Sequence, residues 1–234
     1  MKAKALRLYG KEDLRLDEYE LPEIKDDEIL ARVVSDSICM SSYKAAMQGE
    51  DHKRVPENIK EHPVIIGHEF CGDLVKVGAK WAHEFKEGEK FSIQPALNYK
   101  GSLAAPGYSY EYIGGDATYI IIPNEVMEMG CLLHFDSDNF FGGSLTEPLS
   151  CVAGTFHAMY HATRRKYEHD MGIVEGGKMA ILAGVGPMGL AAIDYITHCD
   201  RCPSLLVVTD IDDARLTRAA QVLPPEEAAK KGIK

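Results

Sequence analysis

His68 and Glu69 stand side by side in PVIIGHEFCGDLVKVG (63–78), a run whose β-branched and apolar residues read as a buried strand. Neighbours on a strand point to opposite faces, so a strand covered on both sides buries an ionisable group on each. Buried ionisable groups need partners. A metal ion is one answer, and a satisfied core hydrogen bond is the other. Two more residues carry compatible chemistry: Cys39 ends the expected strand ARVVSDSI, and Glu147 opens the expected helix TEPLSC. A thiolate, an imidazole and carboxylates are the ligand set of a catalytic zinc. They lie far apart in the chain, so only a fold brings them together, and spacing alone does not decide.

A second constellation is local. Gly184, Gly186 and Gly189 form G-x-G-x-x-G between the apolar strand KMAIL and an apolar helical stretch, with Asp210 closing the next strand, SLLVVTD. In that context the first glycine allows a tight turn, the second lets backbone approach a pyrophosphate, and the third lets helix pack on strand. The N–H groups of Pro187-Met188-Gly189 and the following turn, less the one proline lacks, then face phosphate. A glycine turn without a ligand is the alternative. Asp210 suits the ribose hydroxyls of NAD(H) and opposes the extra phosphate of NADP(H), and Asp212 is a second candidate for that task.

These residues sit on two kinds of sequence. Up to about residue 150 the chain shows short alternating runs (AKALRLY, LRLDEYEL, EILARVVSDSI, GEKFSIQP, ATYIIIP) broken by charged turns, as in a barrel or folded sheet. A Gly-, Pro- and Tyr-rich excursion, ALNYKGSLAAPGYSYEYIGGD, interrupts them as a loop. From 146 to 167 the periodicity is helical, and strand, glycine turn, helix and strand then follow, the opening of a doubly wound sheet. The expected architecture is α/β: a β-rich catalytic domain over 1–150 and the first part of a Rossmann domain over 151–234. Two parallel strands make no stable doubly wound sheet, so the sequence looks cut off inside this domain, and without the strands for the nicotinamide half of the cofactor site the span alone is expected to be inactive.

Composition narrows the partners. The 234 residues are 45% hydrophobic, and 36 acidic against 26 basic residues leave a net charge of −10. That balance argues against nucleic acid. No run suggests a leader or a membrane span. Six scattered cysteines (39, 71, 131, 151, 199, 202) suit a reduced, cytoplasmic setting. Cys199 and Cys202 follow a helix rather than start one, which disfavours a redox role. His157 and His161 fall at i, i+4 on the expected helix but lack the glutamate of a zinc protease motif.

The order Cys39, GHEFCG, EPLSC, GVGPMG resembles the zinc-dependent medium-chain dehydrogenase/reductase superfamily, with G-H-E-x-x-G-x-x-x-x-x-G complete from Gly67 to Gly78. EPLSC points to its polyol and threonine dehydrogenase branch. The resemblance implies a GroES-like catalytic domain, a dimer or tetramer, and hydride transfer between a nicotinamide cofactor and a ketose phosphate/polyol phosphate pair. An unphosphorylated polyol, sugar or threonine, or a non-catalytic relative, are the alternatives. It implies zinc ligands Cys39, His68 and Glu69, with Glu147 as a fourth ligand or as holder of the zinc's water. Ser41 takes the place of the hydroxyl that relays a proton. Relatives carry four clustered cysteines for a second zinc, whereas 94–119 has none here, so one zinc is expected. Lys44 replaces the relay histidine. Lys44, Lys53 and Arg54 are the basic residues nearest Cys39 in sequence and candidates for a substrate phosphate, a solvated loop being the plainer reading.

Overall fold

The alternating runs become antiparallel strands. In the computed structural model, which describes residues 1–162 and 165–234, β1 (Lys2–Gly10) buries Ala3 and Ala5 on one face and Leu8 on the other. It pairs with β2 (Asp13–Glu20) and, on its other edge, with β4 (Val64–Ile65). A second sheet runs β7-β3-β5-β6-β8, built from β3 (Ile29–Asp36), β5 (Phe70–Val77), β6 (Lys90–Ile93), β7 (Tyr119–Ile122) and β8 (Leu132–His134). Its core gathers Ile29, Phe70, Leu74, Phe91, Ile93, Ile120 and Ile122. Three helices attach: α1 (Met40–Gln48), α2 (Asn124–Glu128) and α3 (Phe140–Ser144). Together Met1–Glu147 form one compact unit. The excursion between β6 and β7 holds one short 3-10 turn, Tyr99–Gly101, and no strand.

The 63–78 run is not one strand. It is β4, then an irregular turn over 66–69, then β5. Gly67 takes φ +87°, which an L side chain rarely adopts and which breaks the strand. Ile66 and Gly67 then give their carbonyls to Asp116 N–H (3.0 Å) and Gly115 N–H (2.7 Å) instead of to a ladder. His68 and Glu69 are buried, at 5% and 6% exposure, but by a turn rather than by strand alternation.

Pro148–Lys234 form the second unit. Helix α4 spans Thr146–His157, and the expected helix to 167 stops there. Tyr160–Ala162 is strand β9, paired with β10 (His169–Met171), while Thr163 and Arg164 lie outside the described residues. Burial of Val152 and Phe156, with Phe156 stacked on Tyr195 at 5.2 Å, anchors the helix end, and pairing with β10 takes the chain beyond it. Tertiary contact here outweighs helical periodicity. His157 and His161 are accordingly not on one helix face. β11 (Lys178–Leu182) and β12 (Leu205–Thr209) are parallel, joined by α5 (Pro187–His198). α6 (Asp213–Val222) and α7 (Pro225–Ala229) follow, and Lys234 then pairs alongside β12 through Ser204 and Leu206. Among the described residues no helix is long and apolar enough to cross a membrane.

Gly72 shows how tightly β3 and β5 meet. A Cβ there would lie 1.8 Å from the Arg32 carbonyl oxygen, a backbone atom that cannot step aside. Gly72→Ala should destabilise the first unit by about 1–3 kcal/mol through forced backbone displacement. Gly154→Ala on α4, where a Cβ meets nothing within 4 Å, should be neutral or stabilising. Urea unfolding of the two variants checks the contrast.

Candidate functional site

The site begins where β3 ends. The β3–β5 register shifts between Val33 and Ser35, leaving Val34 as an extra residue before Asp36 pairs with Phe70. Such a bulge re-aims the chain. Ser37 N–H then donates to the Glu69 carbonyl (3.0 Å), and Glu69 N–H donates to Asp36 Oδ1 (3.2 Å). The chain that leaves β3 is thereby tied to the turn that carries His68 and Glu69. Cys39 is the N-cap of α1, in extended geometry, rather than a strand end.

The result is convergence: one ligand atom each from Cys39, His68 and Glu69 all lie within 4.8 Å of one another. Ser37 Oγ donates a short hydrogen bond to Glu69 Oε2. Ser42 Oγ lies 3.2 Å from His68 Nδ1, and the Tyr108 hydroxyl lies 3.2 Å from His68 Nε2. Burial pushes the Cys39 thiol up and the His68 imidazole down in pKa, Glu69 opposing the second shift and Arg54 adding to it. Burial also raises the Tyr108 phenol to about 12, partly offset by a hydrogen bond with Ser41. At neutral pH the site therefore presents a thiol, a neutral imidazole and a protonated phenol.

The donor set fits zinc. Sulfur, nitrogen and oxygen in a buried cluster suit that ion, whereas calcium and magnesium take oxygen ligands. Glu147, in the first turn of α4, is outside the group of three, and its charge bears on Tyr108. Ser41 reaches both Cys39 and Tyr108. Lys44 is exposed on α1, and its charge acts on the buried His52.

In the second unit the three glycines do different work. A Cβ on Gly184 would meet Ile181 Cγ2 at 2.1 Å, and one on Gly189 would meet the Gly184 carbonyl at 2.0 Å, so both are packing requirements. Gly186 caps α5 and has nothing within 4 Å of a built Cβ, leaving room for a ligand against the helix end. Pro187 takes the first helical position, and Met188 beside it is exposed. Asp210 follows β12 and accepts from Asp212 N–H (3.1 Å). Asp212 itself caps α6 by accepting from Arg215 N–H (3.0 Å).

Sequence reasoning missed Tyr108, Ser42, Ser37 and a half-buried pair, Asp36 and Asp116. The two carboxyls hydrogen-bond to each other, and burial, reinforced by Asp116, raises Asp36 to about 8. Only Tyr108 had a sequence signal, as an aromatic within the glycine-rich excursion; the others look like ordinary polar residues.

This architecture and metal-type cluster define a class. Residues 25–130 match the alcohol dehydrogenase GroES-like domain, and the chain belongs to the zinc-binding medium-chain dehydrogenase/reductase superfamily, with a nucleotide-binding-like α/β domain following. Within it, the chain is similar to an L-sorbose 1-phosphate reductase from Klebsiella pneumoniae, 54% identical over 222 residues, 95% of this chain and 54% of that protein. A mannitol-1-phosphate 5-dehydrogenase from Aliivibrio fischeri is 50% identical over 224 residues, 96% of this chain and 53% of that protein. The chain spans about half the length of the curated relatives it matches. The solved 2R,3R-butanediol dehydrogenase from Bacillus subtilis has the same fold, with a TM-score of 0.70 at 22% identity over 94% of this chain and 61% of that one.

The Asp36–Asp116 pair carries a pH prediction. A carboxyl whose folded pKa lies above its unfolded value makes the native state hold the extra proton, so stability falls as pH rises from about 4 toward 8. Asp36→Asn cannot lose that proton. Unfolding of metal-free protein at pH 5 and pH 8 should show a smaller pH-dependent loss in Asp36→Asn than in wild type. Equal losses in the two would show that the pair does not share a proton.

Proposed function

We propose that the protein is a zinc-dependent, nicotinamide-linked oxidoreductase that interconverts a ketose phosphate and a polyol phosphate, namely L-sorbose 1-phosphate and glucitol 6-phosphate. The observation that carries this reading is the convergence of Cys39 with the adjacent pair His68 and Glu69 from two separate points of the chain. Of the three relatives at 49–54% identity, two are named for hexose or hexitol 1-phosphates. A half-buried thiol gathered with a buried imidazole and carboxylate is the donor set of a catalytic zinc, which favours the enzyme over a non-catalytic relative. The same reading makes the protein a cytoplasmic dimer or tetramer of GroES-like and Rossmann domains, divided near residue 150.

Bound zinc would supply Lewis acidity at the substrate oxygen, and bound NAD(H) the hydride. The chain's own residues do the rest. Cys39, His68 and Glu69 hold the ion, with Glu147 as a fourth ligand or as holder of a water. Ser42 engages His68 Nδ1, so a metal would take Nε2 in place of the Tyr108 hydroxyl now beside it, and Ser37 fixes the Glu69 carboxylate. Ser41 hands a proton to the substrate oxygen. Tyr108, protonated at neutral pH, backs that proton as a hydrogen-bond donor to the same hydroxyl network. Gly184, Gly186, Pro187, Met188 and Gly189 receive the pyrophosphate, and Asp210 takes the ribose hydroxyls.

Elemental analysis of the whole enzyme should find one zinc per chain. Cys39→Ser and His68→Ala should each lose zinc and turnover while keeping the wild-type unfolding midpoint of the first unit within a few degrees. Among L-sorbose 1-phosphate, L-sorbose, sorbitol and threonine, the phosphate ester should be the preferred substrate. Two zincs, a metal-free active enzyme, or preference for an unphosphorylated substrate would each refute the reading.

Cofactor choice rests on Asp210. The nearest arginine in sequence, Arg215, is paired with Asp212 at 3.3 Å and is not free to receive a 2′-phosphate. NADH should be preferred to NADPH by roughly 10- to 150-fold in kcat/KM, the worth of a hydrogen bond to a charged group. Asp210→Ser should narrow that ratio. A wild-type preference for NADPH would show the assignment to be wrong.

A further inference from the structure

Among the described residues of the first unit, Arg7, Arg15 and Arg32 each pair with a carboxylate (Glu111, Asp13 and Asp73), and Arg54 pairs with none. That is conspicuous in a chain with a net charge of −10. Arg54 is also not loosely placed. Its backbone N–H donates to His52 Nδ1 (3.3 Å), its carbonyl accepts from Ser109 Oγ (2.6 Å), and Nη1 donates to the Leu103 carbonyl (3.0 Å). These bonds hold the guanidinium 5.8 Å from the centroid of the Tyr108 ring.

Tyr108 leads directly to the metal-type cluster. Its hydroxyl is 3.2 Å from His68 Nε2, and the two ring centroids are 4.8 Å apart. The same ring stacks on the buried His52 at 5.6 Å. One tyrosine thus spans from the catalytic cluster to an unpaired, half-buried cation. The charges of Lys44 and Lys53 act on the same His52, so the positive potential extends around the platform.

We propose that Arg54, held over the Tyr108 platform beside Cys39, His68 and Glu69, is the residue that binds the phosphate of the substrate. This rests on the sugar-phosphate reading above and adds the group that enforces it. An unpaired guanidinium offers a planar fork of N–H donors that matches two phosphate oxygens and gains a charge-assisted bond. A phosphomonoester near the reacting carbonyl would bring its oxygens to that fork while the carbonyl faces the metal ligands. Lys44 and Lys53, both exposed, add field without fixing geometry. The interaction is remote from the reacting bond, so it acts mainly on substrate binding.

The test compares wild type, Arg54→Ala, Arg54→Lys and Lys53→Ala in the whole enzyme, each with L-sorbose 1-phosphate and with L-sorbose. Arg54→Ala should cut kcat/KM for the phosphate ester roughly 10- to 150-fold, mostly through KM, and leave L-sorbose unchanged. Arg54→Lys should recover part of the loss, since it keeps the charge but not the fork. Lys53→Ala should have little effect. Inorganic phosphate should inhibit wild type competitively and Arg54→Ala much less, and it should raise the melting midpoint of zinc-loaded wild type only. A wild type indifferent to the phosphate refutes the substrate reading. A wild type that prefers the phosphate ester while Arg54→Ala keeps that preference refutes Arg54 alone. Equal loss on both substrates with a lowered melting midpoint would make Arg54 a loop clamp, which also overturns the proposal.

Discussion

The structure depends on one short cross-link between the end of β3 and the turn ahead of β5. Two hydrogen bonds make it: Ser37 N–H to the Glu69 carbonyl and Glu69 N–H to Asp36 Oδ1. Both lie in a part-buried setting, where an unmade bond would cost about 1–3 kcal/mol. The turn is in turn pinned from the other side, where Gly115 and Asp116 donate to Gly67 and Ile66. Gly67 cannot carry a side chain there, since a Cβ would fall 2.7 Å from Asp116 N and 2.2 Å from Asp36 Oδ2. Three chain segments are thus locked together before any metal or substrate is considered. Cys39, three residues past Asp36, is delivered to His68 and Glu69 as a consequence.

That lock explains which parts of the site were legible in the sequence. The G-x-G-x-x-G turn was readable because every contact it needs is local: Gly184 against Ile181, and Gly189 against Gly184. The ligand residues were readable by type and by resemblance, but their arrangement was not. Alternation along 63–78 predicts opposite faces for His68 and Glu69, and a single positive φ at Gly67 cancels the rule. Cys39 looked like the end of a strand because β3 runs toward it, yet β3 bulges at Val34 and ends at Asp36, and Cys39 caps α1 instead. The supporting groups carried no pattern at all. Ser37, Ser42, Asp36 and Asp116 matter through partners 26 to 80 positions away in the chain, which no periodicity records. The helix expected to 167 failed for the same reason, since pairing with β10 decides its end.

The charge state of the cluster follows from the same burial. Burying a thiolate and an imidazolium together with a carboxylate would cost several kcal/mol per ion without good pairing. The fold avoids this by keeping Cys39 a thiol and His68 neutral, both through desolvation. The cluster can then be assembled by the backbone lock alone, at little electrostatic cost. A divalent ion entering it would displace the Cys39 proton and meet an imidazole already in its ligating form. Hydroxyls from Ser37 and Ser42 sit against the ligands' outer atoms, where they orient without adding charge. The guanidinium of Arg54 stands one ring further out, 5.8 Å from the centroid of Tyr108. That spacing keeps the guanidinium of Arg54 from competing with a cation for the carboxylate of Glu69. On the proposed reading, a substrate with a carbonyl and an anionic group would then take one orientation, its anion toward Arg54 and its carbonyl toward the ligand set.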